Sequence, residues 1–222
     1  MKHAFLALAS LISTLVLGAA ATAKAPDVST LKAVKFEFVA WSTDSAYILL
    51  KVQDPNIPGY IFQVRDTKGE TVKMGNKPAV FPSQFSPNTP EEQKFVKGIM
   101  NGKVKVGGEP IKFDQEGVFE ATHPKRSTIM LMTGQKGDKL IIMGMRGERA
   151  TTYESIDLIQ DKNKVVAKAS QKALVWDQEG KNFILIYNQK LDSKDTPFDG
   201  DFFEVHPFKS FKVKGASEET EE

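Results

Sequence analysis

Polar and apolar positions alternate along much of the chain, which is the period of a half-buried β-strand. Val34, Phe36 and Phe38 alternate with Lys35 and Glu37, and Val39-Ala40-Trp41 then leads into the turn Ser42-Thr43-Asp44-Ser45. Residues 47–52 and 60–64 follow as two more strands. From Ser127 onward, strand-like runs cover 128–132, 140–145, 153–159, 165–176 and 183–187. The connections 134–138, 146–149, 160–163 and 177–180 are short and rich in Gly, Asn and Asp, as in antiparallel hairpins joined into a meander. The expected fold is mostly β: an antiparallel meander or sandwich, or an incomplete propeller-like sheet.

One segment breaks the period of two. Thr89 suits an N-cap, Pro90 the first helical position, and Thr89 with Glu92 a capping box. Phe95, Val96, Ile99 and Met100 form a single apolar stripe, and Asn101-Gly102 supplies the stop. The pattern predicts one short helix there. The stretch 76–88, with Pro78, Pro82 and Pro87, reads as an irregular connection between two parts of one domain.

The segment from Val39 to Leu50 is matched by that from Leu174 to Ile186, with one extra residue assigned to the second turn. After a loop, Gly59-Tyr60-Ile61-Phe62-Gln63-Val64-Arg65 matches Gly200-Asp201-Phe202-Phe203-Glu204-Val205-His206. Each copy reads strand, turn, strand, loop, strand, with a tryptophan before the first turn, so the expectation is a two-fold internal repeat. Trp41 to Leu50 resembles the W-S-P-D-G-x-Y-I turn of Tol-type propeller repeats, with Thr43 for the proline and Ser45 for the glycine. The order of parts also resembles a family of predicted secreted bacterial proteins of unknown function. That order is the Trp41 turn, a loop holding Asp54, Pro58, Gly59 and Tyr60, the helix at Pro90 and Pro197-Phe198-Asp199-Gly200. The family resemblance implies export and supplies no activity.

Composition narrows the class. Of 222 residues, 41% are apolar, 26% are charged and none is cysteine. That apolar share supports a core and excludes a collagen-like or wholly disordered chain. Without cysteine there are no disulfides, no thiolate chemistry, no cysteine-ligated zinc and no lipid attachment. A net charge of +2 with interspersed signs makes no basic face for nucleic acid. Met1-Lys2-His3, an apolar run to Gly18 and the A-x-A site Ala21-Thr22-Ala23 read as a signal peptide over 1–23, with the mature chain starting at Lys24. Residues 24–214 form a single β-rich domain and 215–222 an acidic, disordered tail. No later stretch has transmembrane length, so the expected location is the periplasm or the medium.

Candidate chemistry is sparse. His123 and His206 each precede a proline, which favours an extended backbone at the histidine. Met130-Leu131-Met132 and Met143-Gly144-Met145 each point two thioethers to one face of a strand. Soft thioethers select Cu(I), although methionine also fills cores beside Leu and Ile. Asp192, Asp195, Asp199 and Asp201 crowd one loop without the spacing of a calcium loop. Lys162, Lys164, Lys168 and Lys172 share parity, as on a wet strand face. The loops 53–58 and 190–199 both mix aspartate with proline and one apolar residue, Ile57 or Phe198. Phe198 is expected as the exposed tip that meets a partner, with Asp54, Tyr60, Asp195, Asp199, Asp201 and His206 as the other binding residues.

The leading expectation is a non-catalytic binding or structural module of the bacterial envelope. Its partner would be a protein or a cell-wall component, and it would need no cofactor. The rival is an exported hydrolase that gathers Asp54, Asp199, Asp201 and His206. A third reading is copper handling through the methionine pairs.

Overall fold

The computed structural model describes residues 28–42, 44–74, 76–81 and 120–212. The leader, the helix expected from Thr89, the connection beyond Phe81 and the acidic tail lie outside them. Within these residues the fold is mostly β and antiparallel throughout. The first sheet has β1 (Lys35–Trp41), β2 (Tyr47–Gln53), β3 (Ile61–Asp66) and β6 (Val80–Phe81) in that order. Short strands β4 (Lys73–Met74) and β5 (Lys77–Pro78) pair beside it. A second sheet is a meander of β7 (Glu120–His123), β8 (Arg126–Lys136), β9 (Lys139–Arg146) and β10 (Arg149–Asp157). A third contains β11 (Lys168–Trp176), β12 (Asn182–Leu191) and β13 (Phe198–Pro207). Two-residue turns join β8 to β9 and β9 to β10, and each begins with a glycine at positive φ, Gly137 at 60° and Gly147 at 56°. That is the first-position glycine of a hairpin turn whose twist matches its strands.

The layers do not stack in chain order. The third sheet lies between the other two. Ile184 and Ile186 on one face of β12 pack with Phe36, Phe38, Trp41, Ile48, Leu50 and Val52 of the first sheet. Phe183, Leu185 and Tyr187 on the other face pack with Leu131, Leu140 and Ile142 of the second. This is why the alternation disappears along β12, where Phe183 to Tyr187 are all within 2% of full burial. A strand covered on both faces reads as one apolar run rather than as alternate positions. Each large apolar side chain buried there contributes roughly 1.5–3 kcal/mol.

One expectation about the repeat changes in the structure. Trp41 pairs with Ile48 and Trp176 with Phe183, so the two turns have the same length and the second has no extra residue. Both turns place a left-handed residue fourth, Ser45 at φ 59° and Gly180 at φ 65°. In both, the first residue's N–H donates at 2.9 Å across the turn, Ser42 to the Tyr47 carbonyl and Asp177 to that of Asn182. The third strands correspond too: Arg65 stands opposite Ile48, and His206 opposite Phe183.

Phe198 is a correction of more consequence. The loop before it spans 192–197, shorter than expected, and Phe198 is not its tip. It is 7% exposed and packs in a small end cluster with Val28, Ile159, Ala167 and Leu191. Gly200 makes room for it, since a Cβ there would lie 2.5 Å from Phe198 Cζ and 3.2 Å from the Ala33 backbone. The site built around an exposed Phe198 therefore fails.

Candidate functional site

Polar side chains with titratable groups gather on both faces of β13, because successive residues of a strand point to opposite sides. Asp201, Phe203 and Val205 face the first sheet, while Phe202, Glu204 and His206 face the second. Asp201, whose side chain is fully buried, accepts hydrogen bonds at Oδ2 from the Phe36 N–H at 2.9 Å and from Lys172 Nζ at 2.5 Å. Its Oδ1 accepts from Asn188 Nδ2 at 3.0 Å and lies 3.8 Å from Lys35 Nζ. Lys35 and Asn188 also hold Asp199, whose carboxyl they keep below its ordinary range. The register shift between Gln171 and Ala173 leaves Lys172 unpaired in the ladder, and that bulge aims it at Asp201. This cluster ties β1 to the central sheet.

On the other face, a second bulge does similar work. The ladder of β10 skips Tyr153, and both Tyr153 and Glu154 reach the central sheet. Glu154 Oε2 meets His206 Nδ1 at 2.9 Å. His206 Nε2 lies 3.3 Å from Glu204 Oε2, off the line of a hydrogen bond, and Glu204 Oε1 accepts from Tyr187 at 2.9 Å. The imidazole stacks on Phe183 with centroids 5.0 Å apart. Burial disfavours its charge, but the hydrogen bond to Glu154 and the charges of both glutamates win, and its pKa rises to about 9. His206 in return holds the Glu154 carboxyl below its ordinary value. Burial, aided by Glu204, pushes the Tyr187 phenol up. An imidazole already protonated and held by two carboxylates has no free lone pair to act as a base near neutral pH.

The remaining expected site residues are separated from these and from one another. Asp54 is 2% exposed and closes its own loop, its Oδ1 accepting from Asn56 N at 2.8 Å. Tyr60 lies half-buried, edge-on to Phe62, with Lys51 Nζ 4.7 Å from its ring centre. Asp195 is exposed and pairs with Lys162 at 3.0 Å, and Asp192 pairs with Lys190. The four aspartates that crowd this loop in the sequence are each matched to a lysine, and among the described residues no group of three acidic, histidine or cysteine side chains could hold a metal ion. Lys162 and Lys164 precede β11 rather than lining it. His123 is buried, with Nε2 2.9 Å from the Gly180 carbonyl and Nδ1 accepting from Lys125 N. The structure brings Asp199 and Asp201 together, but Asp54 and His206 stand elsewhere. The set expected of a hydrolase is not assembled.

Two further features stand apart, the first unmarked in the sequence and the second built on its methionine pairs. Arg65 lies 1% exposed between the first and central sheets, bonded to Gln63 Oε1 at 2.6 Å and the Gly69 carbonyl at 3.2 Å. Its guanidinium stands 5.5 Å from the Phe203 ring, and burial lowers its pKa to about 10. The second feature is the outer face of the β8–β9 hairpin. Met130 stands opposite Met145 and Met132 opposite Met143, and all four are half-buried. Their neighbours Ile129, Leu131, Leu140 and Ile142 are buried on the other face. The chain matches no family model, no curated protein and no solved structure.

Proposed function

We propose that the chain is an exported, non-catalytic binding module of the cell envelope. The observation that supports this reading is the use to which its acid–base side chains are put. Asp201 and His206, which a hydrolase would need side by side, face opposite layers of the stack. Each is held by counter-ions that tie one sheet to the next. Asp54 is held in its own loop. Among the described residues, what remains toward solvent is a β-scaffold with one face of unusual chemistry, the four half-buried thioethers of β8 and β9. Export rests on the leader pattern of residues 1–23.

The test uses protein recovered from the periplasm or medium, with Lys24 as its expected first residue. A panel of chromogenic esters, glycosides, phosphates and peptides should show no turnover above buffer. Turnover that disappears in Asp199→Asn or Glu154→Gln, while the melting temperature is kept, would overturn the reading in favour of a hydrolase. An intact chain retaining Met1 would overturn its export.

A further inference from the structure

We propose that the outer face of the β8–β9 hairpin is a thioether site for one soft monovalent cation, Cu(I) or Ag(I). The inference rests on the reading of the chain as a binding module and names its ligand. Alternation alone places Met130 and Met132 on one face of β8, and Met143 and Met145 on one face of β9. Register then decides whether those faces coincide and whether the residues meet. They do: the Cα partners are Met130 with Met145 and Met132 with Met143, on adjacent same-face rungs.

Directly opposite side chains in an antiparallel pair start about 4.5–5.5 Å apart at Cβ, and the next same-face rung is about 7 Å along the strand. Methionine has three rotatable side-chain bonds, so four sulfurs from such a square can turn toward one centre. The Met143 methyl already lies along the sheet, 3.5 Å from where a Cβ on Gly134 would stand. That is ordinary van der Waals distance, so the methyl runs along the outer face beside Gly134.

The donor set selects the ion. Thioether sulfur is soft and uncharged, so it favours Cu(I) and Ag(I) over zinc, calcium or magnesium. The flanking rungs on β7 carry Thr122 opposite Met130 and Glu120 opposite Met132, and those on β10 carry Ala150 opposite Met145 and Thr152 opposite Met143. None is an imidazole or thiol that would shift the preference toward a divalent metal. If these methionines served only the core between the sheets, they would lie beside Leu131, Leu140 and Ile142. They stand instead on the opposite face, half-buried, where an ion from solvent can reach them.

Ag(I) is the probe, since it mimics Cu(I) without redox chemistry. The mature protein carrying 13C-methyl methionine should bind one Ag(I) per chain, shifting the methyl signals of Met130, Met132, Met143 and Met145 and leaving Met74 and Met100 in place. Zn(II) should shift none. The variant with all four changed to leucine should lose binding while keeping its melting temperature, because leucine and methionine have similar volumes. Should that variant not fold, the wild-type spectrum and the double variant Met132→Leu/Met143→Leu carry the test. Absent binding, binding unchanged in either variant, or shifts confined to Met74 and Met100 would each overturn the proposal. Turnover in the substrate panel with Ag(I) binding intact would remove the binding-module reading and leave the ion site standing; no binding and no turnover would do the reverse.

Discussion

His206 shows how far a residue's neighbours decide its use. At the end of β13, followed by proline, it carries no sign in the sequence of the two carboxylates that hold it. One of them, Glu154, arrives from another sheet through a bulge in β10. The pairing has a pH signature whose sign is fixed. The folded pKa, about 9, lies above the ordinary value of 6.5, so the imidazolium's contribution is complete below pH about 6.5 and is lost as pH rises through about 9. Glu154 acts in the opposite direction. Its folded value is lowered, so its contribution is present above pH about 4.5 and lost on further acidification. Melting temperature should therefore fall between pH 6.5 and 9, and His206→Gln should flatten that part of the profile. A wild-type profile flat across the window, or an equal slope in the variant, would show that the pair is not charged as described. Asp54, Asp195, Asp199 and Asp201 were visible as a type but not as partners. Aspartate beside proline marks a loop in any sequence, whereas the lysines that pair with all four come from distant strands, from a turn and from the segment before β1.

Hairpins were the most legible scale. Alternation and turn chemistry are both local, so β1, β2, β8, β9 and β12 could be placed from their own residues. Edges were less so: β10 starts at Arg149 rather than at Tyr153, and β11 at Lys168 rather than at Val165. In both strands a bulge shifts parity midway, so a strict period of two misreads half the element. The paired turns after Trp41 and Trp176 carry a sharper consequence. They share length, hydrogen bonds and a left-handed fourth residue, yet that residue is glycine in one and Ser45 in the other. A side chain in this conformation costs roughly 1–2 kcal/mol, and Ser45 Oγ is buried without a hydrogen-bond partner among the described residues. Ser45→Gly should raise stability by about 1 kcal/mol, because relief of strain exceeds the entropy glycine adds to the unfolded chain. Gly180→Ala should do the opposite, since its Cβ would overlap the His123 ring as well as sit at positive φ. Denaturant midpoints at constant slope measure both, and a destabilised Ser45→Gly would mean that the hydroxyl is held by a contact worth more than the strain.

At the scale of the whole molecule, the layer order was the part the sequence could not announce. Each sheet is local in the chain, but which sheet lies between the others depends on faces that read alike as strings of Val, Ile, Leu and Phe. The run Phe183 to Tyr187 was the one available sign, because a strand apolar at every position has no solvent side to offer. The consequence is thermodynamic as well as geometric. The first two sheets in the chain bury their facing sides against the sheet made last: Phe36, Phe38 and Leu50 against Ile184 and Ile186, and Leu131, Leu140 and Ile142 against Phe183 and Leu185. Without the central sheet both would expose those sides to water, and Asp201 and His206, which bind the layers together by charge, would be missing too. A chain ending at Asp161 keeps both outer sheets complete. An isolated sheet without a covering layer does not bury enough apolar surface to offset the entropy of ordering its residues. Such a fragment should therefore unfold without a cooperative transition and bind a hydrophobic dye, while the full chain melts as one unit. Separate cooperative melting of the fragment would mean that the outer sheets are domains in their own right, and that the central sheet joins them rather than makes them fold.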